Sequence, residues 1–452
     1  MQDSPLSLLP PIVAIVIAIW RKNALLALFC GIALCFIMIE NWHPINGVTS
    51  TAYGLAGVFD SIGNIYIISF SLLIGALVTL MNQSGAVNGF IDSLAKVNLV
   101  KNSKQAALLP TFVGTSIFTD TNLSIFTAGM ASQTLFDKYK LSRARLAYLI
   151  DSTCAPISIL FLINGWGAYV LGLLDGHQLN DPVGILVGTI SYNFYAIIAV
   201  LFAYYTAASG RTFGPLKYAK SRIIDQQTVE KQKISPAIIM WLPLISLLTI
   251  TLSLLWFTGN GDMRQGSGSF SVFWAIVSAV IILITMIKIY GVMSWKNIAK
   301  HALLGIKHMA PAVAILILSF AFGDAIKSLG TGIYVSQLLN VEVPLYFIAP
   351  ILFLAAGFMA FATGTSWGTF AILVPIAVPL AQQTGLPIEF LVAAVLGGGI
   401  FGDHASPISD TTVVASIASG CDHYEHVKTQ LPYALTAGSL TLIIYTLIGL
   451  NF

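Results

Sequence analysis

The chain has 452 residues, 56% of them hydrophobic and only 9% charged, against about 25% charged residues in a soluble domain. That composition excludes a soluble globular protein, and a formal net charge of +3 over this length is no nucleic-acid footprint. Apolar runs of roughly 17 to 25 residues recur from end to end, long enough to cross a hydrocarbon core of about 30 Å as helices, without the alternation of an outer-membrane barrel.

The sequence therefore predicts an all-α polytopic membrane protein of about ten transmembrane helices plus two re-entrant hairpins. In chain order, residues 1–68 read as N-terminal scaffold helices. The first apolar run (6–20) follows an almost uncharged start and lacks a small-residue cleavage site, so it is expected to be retained, with no signal peptide. A first repeat follows over 69–206, with a hairpin at 105–136 and a broken helix at 145–170. A basic cytoplasmic loop (207–235) and scaffold helices (236–301) lead to a second, inverted repeat over 302–431. It carries a hairpin at 344–386 and a broken helix at 389–419, and a C-terminal helix (432–452) closes the chain. Basic residues gather at Arg21 and Lys22, Lys96 to Lys104, Lys138 to Arg145, Arg211 to Lys233 and Lys288 to Lys307. The positive-inside rule makes these places cytoplasmic and both termini external. The four cysteines form no CxxC pair, which predicts free thiols and no metal cluster.

The first hairpin is predicted because basic clusters flank both its ends while TDTN (Thr119 to Asn122) sits at its centre. Two arms of about 15 residues reach only about 22 Å each, too short to cross and return. A polar tip is tolerated at that depth only if it is buried in protein or lines a wet cavity. The second hairpin has acids at both ends and TGTSW (Thr363 to Trp367) at its centre. Each is followed by a span with a related motif: Cys154-Ala155-Pro156-Ile157-Ser158 aligns with Ala405-Ser406-Pro407-Ile408-Ser409. Inverted repeats with discontinuous helices are the signature of secondary transporters, with the site near the midplane where the repeats meet.

Five acids fall inside apolar stretches: Asp120, Asp151, Asp324, Asp403 and Asp410. A carboxylate within the bilayer is disfavoured by roughly 2.5 kcal/mol or more, so it normally faces the bundle interior and marks an ion or proton pathway. Asp324 has a partner candidate one turn on in Lys327. An alkali cation needs several hard oxygen ligands, and Gly397 to Gly399, Gly402 and Pro407 are expected to loosen the span and free its carbonyls. Asp403, Ser406, Ser409, Asp410, Thr411 and Thr412 would then supply side-chain oxygens. The same carboxylates can take protons, because burial favours the neutral form and a bound cation the ionised one. Blander readings stand beside these: an N-cap role for Ser406 or Asp410, a satisfied interior role for His404, and helix packing for TGTS. CDHYEH (Cys421 to His426) reads as a solvated loop at a cytoplasmic span end rather than a metal site.

FGDHASPISDTT (Phe401 to Thr412), continuing through SGCDHYEHVKTQLPYAL (Ser419 to Leu435), closely resembles the signature of the NhaC-type Na+/H+ antiporter family of the ion-transporter superfamily. The resemblance implies a multi-pass secondary transporter of the bacterial inner membrane, with a scaffold and a moving transport part, commonly a homodimer in membrane lipid, working by an elevator motion. It implies a site formed by Thr119, Asp120, Thr121 and Asn122; by Asp151, Ser152 and Thr153; by Thr363, Gly364, Thr365 and Ser366; and by Asp403, Ser406, Asp410 and Thr411. To these the residues themselves add His404 and Thr412, with Na+ expected at Asp120, Asn122, Asp403 and Asp410. No cofactor is expected beyond Na+ and H+ as transported or coupling ions, and no enzymatic activity. Family members tend to read SDTTNL after the proline, where this chain has Ser409-Asp410-Thr411-Thr412-Val413-Val414. This ending resembles a branch in which some relatives carry amino acids such as methionine, or organic acids, so a sodium- or proton-coupled organic-solute transporter stands as the alternative to Na+/H+ antiport.

Overall fold

In a lipid core no water is available to the backbone, so apolar segments satisfy their amides internally as helices. A computed structural model describes residues 5–21, 23–96, 100–118, 120–177, 179–219, 234–331 and 344–452, and among these the regular structure is entirely helical. The chain runs through α1 (Leu9–Arg21), α2 (Ala24–Ile39), α3 (Pro44–Gly57), α4 (Ile62–Gln83) and α5 (Ala86–Lys96). A helical hairpin follows, α6 (Ser103–Ser116) and α7 (Thr121–Lys138), then α8 (Arg143–Leu160) and α9 (Gly165–Asp175). Next come α10 (Pro182–Tyr192), α11 (Phe194–Ser209), α12 (Ile238–Thr258), α13 (Gly268–Ile289) and the long α14 (Trp295–Leu329). The second hairpin is α15 (Ile348–Thr363) and α16 (Ser366–Thr384), followed by α17 (Ile388–Ala405), α18 (Asp410–Ser419) and α19 (His423–Gly449).

Nine stretches among the described residues are long and apolar enough to cross a membrane, which makes this a multi-pass membrane protein. One of them, over residues 345–363, contains the first arm of the second hairpin. The segments 5–21 and 24–39 are also apolar helices, though shorter.

The same order of elements, a hairpin and then an interrupted helix, occurs twice. α8 breaks at 161–164 before α9, and α17 breaks at 406–409 before α18. The half-helices after the breaks reach across the chain: α18 packs on α7 and α8 of the first half, and α9, packed on α4 and α10 of its own half, also touches α16 of the second. The two hairpin tips are thereby drawn toward one interior region.

The breaks do not fall at matching residues. Pro407 lies inside the second break, as expected of a residue that cannot donate to the helix ladder. Pro156, in the same Pro-Ile-Ser context, stays inside α8, and the first break comes later, at Asn164. The Asn164 amide donates to the carbonyls of Phe118, Ser158 and Phe161 at 2.8, 2.7 and 2.7 Å, and its Oδ1 caps α9 by accepting from Gly167 N at 2.9 Å.

The glycines of α17 do not loosen it, contrary to expectation, because the helix runs unbroken through Gly397 to Gly402. They let it lie against α15 instead. A Cβ at Gly398 would strike the carbonyl of Phe353, and one at Gly402 that of Gly357. Small residues permit such backbone approach between membrane helices.

Candidate functional site

Asp120 occupies the N-cap of α7, where its Oδ1 accepts from Leu123 N at 2.7 Å. Asp410 opens α18 and its Oδ1 accepts from Thr411 N at 2.9 Å. Each carboxylate thus complements the positive end of a helix dipole while one oxygen stays on the side of an interior cavity. That cavity holds about 270 Å3 and is lined by Asp120, Thr121, Asn122, Thr365, Asp410 and Thr411 on its polar side. Trp166, Trp367 and the α14 segment His308 to Leu316 close the other side. Trp166 and Trp367 lie with ring centroids 5.4 Å apart, and Tyr169 OH donates to the Trp367 carbonyl at 3.0 Å. Thr121 is buried at the edge of the cavity, and its hydroxyl donates to Ser158 Oγ at 2.9 Å. Thr119 lies outside the described residues.

Asp403 is close by in sequence but sealed off. Its Oδ1 accepts from Ser409 Oγ at 2.6 Å, and its Oδ2 from Ser366 Oγ, on the second hairpin, at 3.1 Å. Ser409 Oγ is also 3.0 Å from Thr411 Oγ1. Asp403 therefore reaches the cavity lining only through hydroxyls. Gly364 turns the hairpin in the left-handed region, with φ +71°, and a Cβ there would sit 2.6 Å from the Ile408 carbonyl. Thr363 is spent on its own helix, donating to Met359 O at 2.8 Å, and Thr365 is the N-cap residue of α16. Ser406 ties the break to the hairpin, donating to Phe361 O at 2.8 Å.

A second buried cluster surrounds Asp151 on α8. Its Oδ2 accepts from Gln430 Nε2 at 2.7 Å, from His426 Nε2 at 3.2 Å and from Thr412 Oγ1 at 3.4 Å. Gln430 Nε2 also donates to the His404 carbonyl at 3.0 Å, and His404 Nδ1 is 3.0 Å from Tyr195 OH. Asp151 Oδ1, His404 Nε2, His426 Nδ1 and Gln430 Oε1 are buried without a hydrogen-bond partner in the structure. Ser152, with Tyr148, Tyr195, His404, Gln430 and Tyr433, lines a small void of about 10 Å3 beside this cluster. Thr153 donates to Leu149 O at 2.7 Å, inside its own helix.

Two sequence readings are corrected here. CDHYEH is not a solvated loop: His426 is fully buried on Asp151, and His423 Nε2 donates to the Pro407 carbonyl at 2.7 Å. Both histidines lie in the first turn of α19, which folds back over the break. Asp324 and Lys327 are both exposed on α14 and no ion pair joins them among the described residues. The residues that sequence reasoning did not place at the site are His426, named only within CDHYEH, Trp367, named only within TGTSW, and Gln430, Tyr195, Asn164 and Trp166. A polar spacing of three and seven residues, His423, His426 and Gln430, on one face of the polar start of a long helix was the available signal.

The far end of α18 is held by the first half of the chain. Gln133 Nε2 donates to Ala418 O at 2.8 Å and Arg143 Nη1 to Ser419 O at 2.8 Å, while Arg143 pairs with Asp137 at 2.6 Å. All four cysteines are free. Among the described residues no group of three or more His, Cys, Asp or Glu is placed to hold a metal ion. The hard oxygens available to a cation at the cavity are those of Asp120, Asn122, Thr365, Asp410 and Thr411. Three of the four positions expected to hold Na+ thus meet there, and Asp403 stands behind them.

A profile of the Na+/H+ antiporter family matches residues 146–450. A protein of Haemophilus influenzae described as uncharacterised is 31% identical over 100% of this chain and 92% of its own length. The malate-2H(+)/Na(+)-lactate antiporter of Bacillus subtilis is 34% identical over 35% of this chain and 34% of its own. Among solved structures, the YdaH transporter of Alcanivorax borkumensis superposes with a TM-score of 0.61 at 13% identity, covering 90% of each chain. At that identity the likeness speaks for the fold alone.

Proposed function

Because the chain belongs to the Na+/H+ antiporter family, of NhaC type, we propose that it exchanges Na+ for H+ across a bacterial inner membrane by alternating access of the elevator type. The observation that carries this reading is the meeting of Asp120 and Asp410, each on a half-helix N-terminus from a different half of the chain, at one interior cavity. A carboxylate there favours its neutral form when it is desolvated and alone, and its ionised form when a cation sits beside it. Na+ and H+ then compete for the same oxygens, and each leaves as the other arrives. Asp403 takes part through Ser409 and Thr411, whose hydroxyls link its carboxylate to the cavity lining. In this reading the two hairpins with α8, α9, α17 and α18 form the moving part, and the remaining helices form the scaffold and a homodimer contact within membrane lipid.

A second reading is favoured by one observation. A cavity of about 270 Å3 walled by two tryptophans exceeds what a single ion needs by an order of magnitude, since one water fits in about 10–15 Å3. A small organic solute, an amino acid or an organic acid, moving with Na+ or H+ would fill it. The Bacillus subtilis relative named for malate and lactate exchange belongs with this alternative.

Both are tested in proteoliposomes of the full chain, with a Na+ gradient imposed and internal pH followed. Proton movement driven by Na+ alone is expected, and it is lost in Asp410→Asn and in Asp403→Asn while the variants still purify as folded protein. Solute uptake strictly dependent on Na+ with no pH change would refute antiport, and normal transport by both variants would refute the site.

A further inference from the structure

We propose that the cavity takes an organic cation, a small amine with an apolar body, in addition to an inorganic ion. The inference rests on the reading of this cavity as the transport site. Its lining is two-sided. On one side Asp120 and Asp410 each spend one oxygen on a backbone amide, at 2.7 and 2.9 Å, and have no side-chain partner among the described residues for the other. Asn122 and Thr365 stand with them. On the other side lie Trp166, Trp367 and aliphatic residues that include Ile74, Val313 and Leu316.

The lining includes neither lysine nor arginine, and His308 is its one basic side chain. An anionic occupant would meet two like charges at close range in a low-dielectric interior with no fixed cation to offset them. A bare alkali ion would use the oxygens and an indole face but gain nothing from the aliphatic wall. An alkylammonium uses both sides. Its three N–H donors match the free carboxylate oxygens and the Asn122 and Thr365 carbonyl or hydroxyl oxygens. Its chain is buried against the aliphatic wall, and its charge is attracted to an indole face. Trp367 is well placed for this, because Tyr169 donates to its carbonyl and lies against its ring, with centroids 4.6 Å apart and the planes tilted by 45°. The ring is pre-oriented rather than free to turn.

The test uses the full chain in nanodiscs and in proteoliposomes, with n-butylammonium chloride, potassium butyrate and n-butanol as matched probes. Butylammonium is expected to raise the melting temperature in a dose-dependent way and to compete with Na+-driven proton movement, whereas butyrate and butanol at the same concentration do neither. Asp410→Asn should weaken butylammonium binding at least tenfold. Trp367→Leu should weaken it at least threefold, and Trp367→Phe should restore most of the loss. Butyrate binding as well as butylammonium, or amine binding that does not compete with Na+, would overturn the inference. So would the absence of amine binding in protein that still moves protons on a Na+ gradient, an outcome that leaves the transport reading standing. Retention of Na+-driven proton movement by Asp410→Asn would instead sink the reading of the cavity itself.

Discussion

The four acids of the interior fall into two pairs with opposite surroundings. Asp151 and Asp403 are fully buried and accept hydrogen bonds from side chains: Gln430, His426 and Thr412 in one case, Ser409 and Ser366 in the other. Asp120 and Asp410 are held by backbone amides at helix starts and border a cavity. Residues of one type, buried in one pair and open to the cavity in the other, thus do different work. A carboxylate that accepts from several protein donors is part of the packing, and its loss takes their acceptor away. A carboxylate held by one oxygen at a helix N-terminus keeps the other for a visitor, and its loss strands little.

The sharpest way to break that comparison is Asp151→Leu against Asp410→Asn. Removing Asp151 takes the acceptor from the buried His426 Nε2 and one of two acceptors from Gln430 Nε2. Leaving a buried donor unsatisfied costs about 1–3 kcal/mol, more where the group is charged. Thermal or denaturant unfolding in detergent should show a loss of that order for Asp151→Leu. Asp410→Asn should unfold within about 0.5 kcal/mol of the parent, the range of a substitution that strands no buried group, while losing transport. Equal destabilisation by the two would remove the distinction.

Much of this pairing was legible in the sequence and some was not, for reasons that can be named. TDTN and TGTS stood out because a polar tetrad inside an apolar run has few innocent explanations in lipid, and both are hairpin tips. The proline break at 406–409 was legible because Pro407 acts on its own backbone. The glycines of α17 were misread because the meaning of a glycine depends on what lies opposite, here the carbonyls of α15. The contacts of Asp151 were not legible because its partners, His426 and Gln430, stand some 275 residues further on. No local pattern carries that distance, and His426 sits beside real loop residues. Pro156 shows the same limit: Asn164, not the proline, decides where the first helix stops, through a carbonyl of the hairpin tip that only the fold brings near.

The second hairpin tip supplies a smaller effect. Gly364 has φ +71°, and an added Cβ meets the Ile408 carbonyl at 2.6 Å. Gly364→Ala adds left-handed strain to a backbone clash, and strain of this kind costs about 1–3 kcal/mol. Relief requires the tip to back away from the second break, so Ser366 would withdraw from Asp403. The variant should melt at a lower temperature and show reduced transport, whereas Gly385→Ala, also at positive φ but with nothing within 4 Å, should show the strain without the loss of transport.

The smallest effect tests the link itself. Ser366→Ala removes one of two hydroxyl donors to Asp403, the longer at 3.1 Å, while Ser409→Ala removes the shorter at 2.6 Å. A hydrogen bond to a charged group contributes about 1.5–3 kcal/mol and one to a neutral group about 0.5–1.5 kcal/mol. The size of the two losses therefore reports the state of Asp403. Each should cost about 1 kcal/mol if Asp403 is protonated in the resting protein, and about twice that if it is ionised. The double-mutant cycle of Ser366→Ala with Asp403→Asn separates the two cases, because the amide can still accept from Ser366 through its Oδ1. A coupling near zero would mean that the serine meets a neutral acceptor in both backgrounds. A coupling above 1 kcal/mol would mean that the parent carboxylate carries charge, and would place Asp403 with Asp410 among the groups that a transported cation must balance.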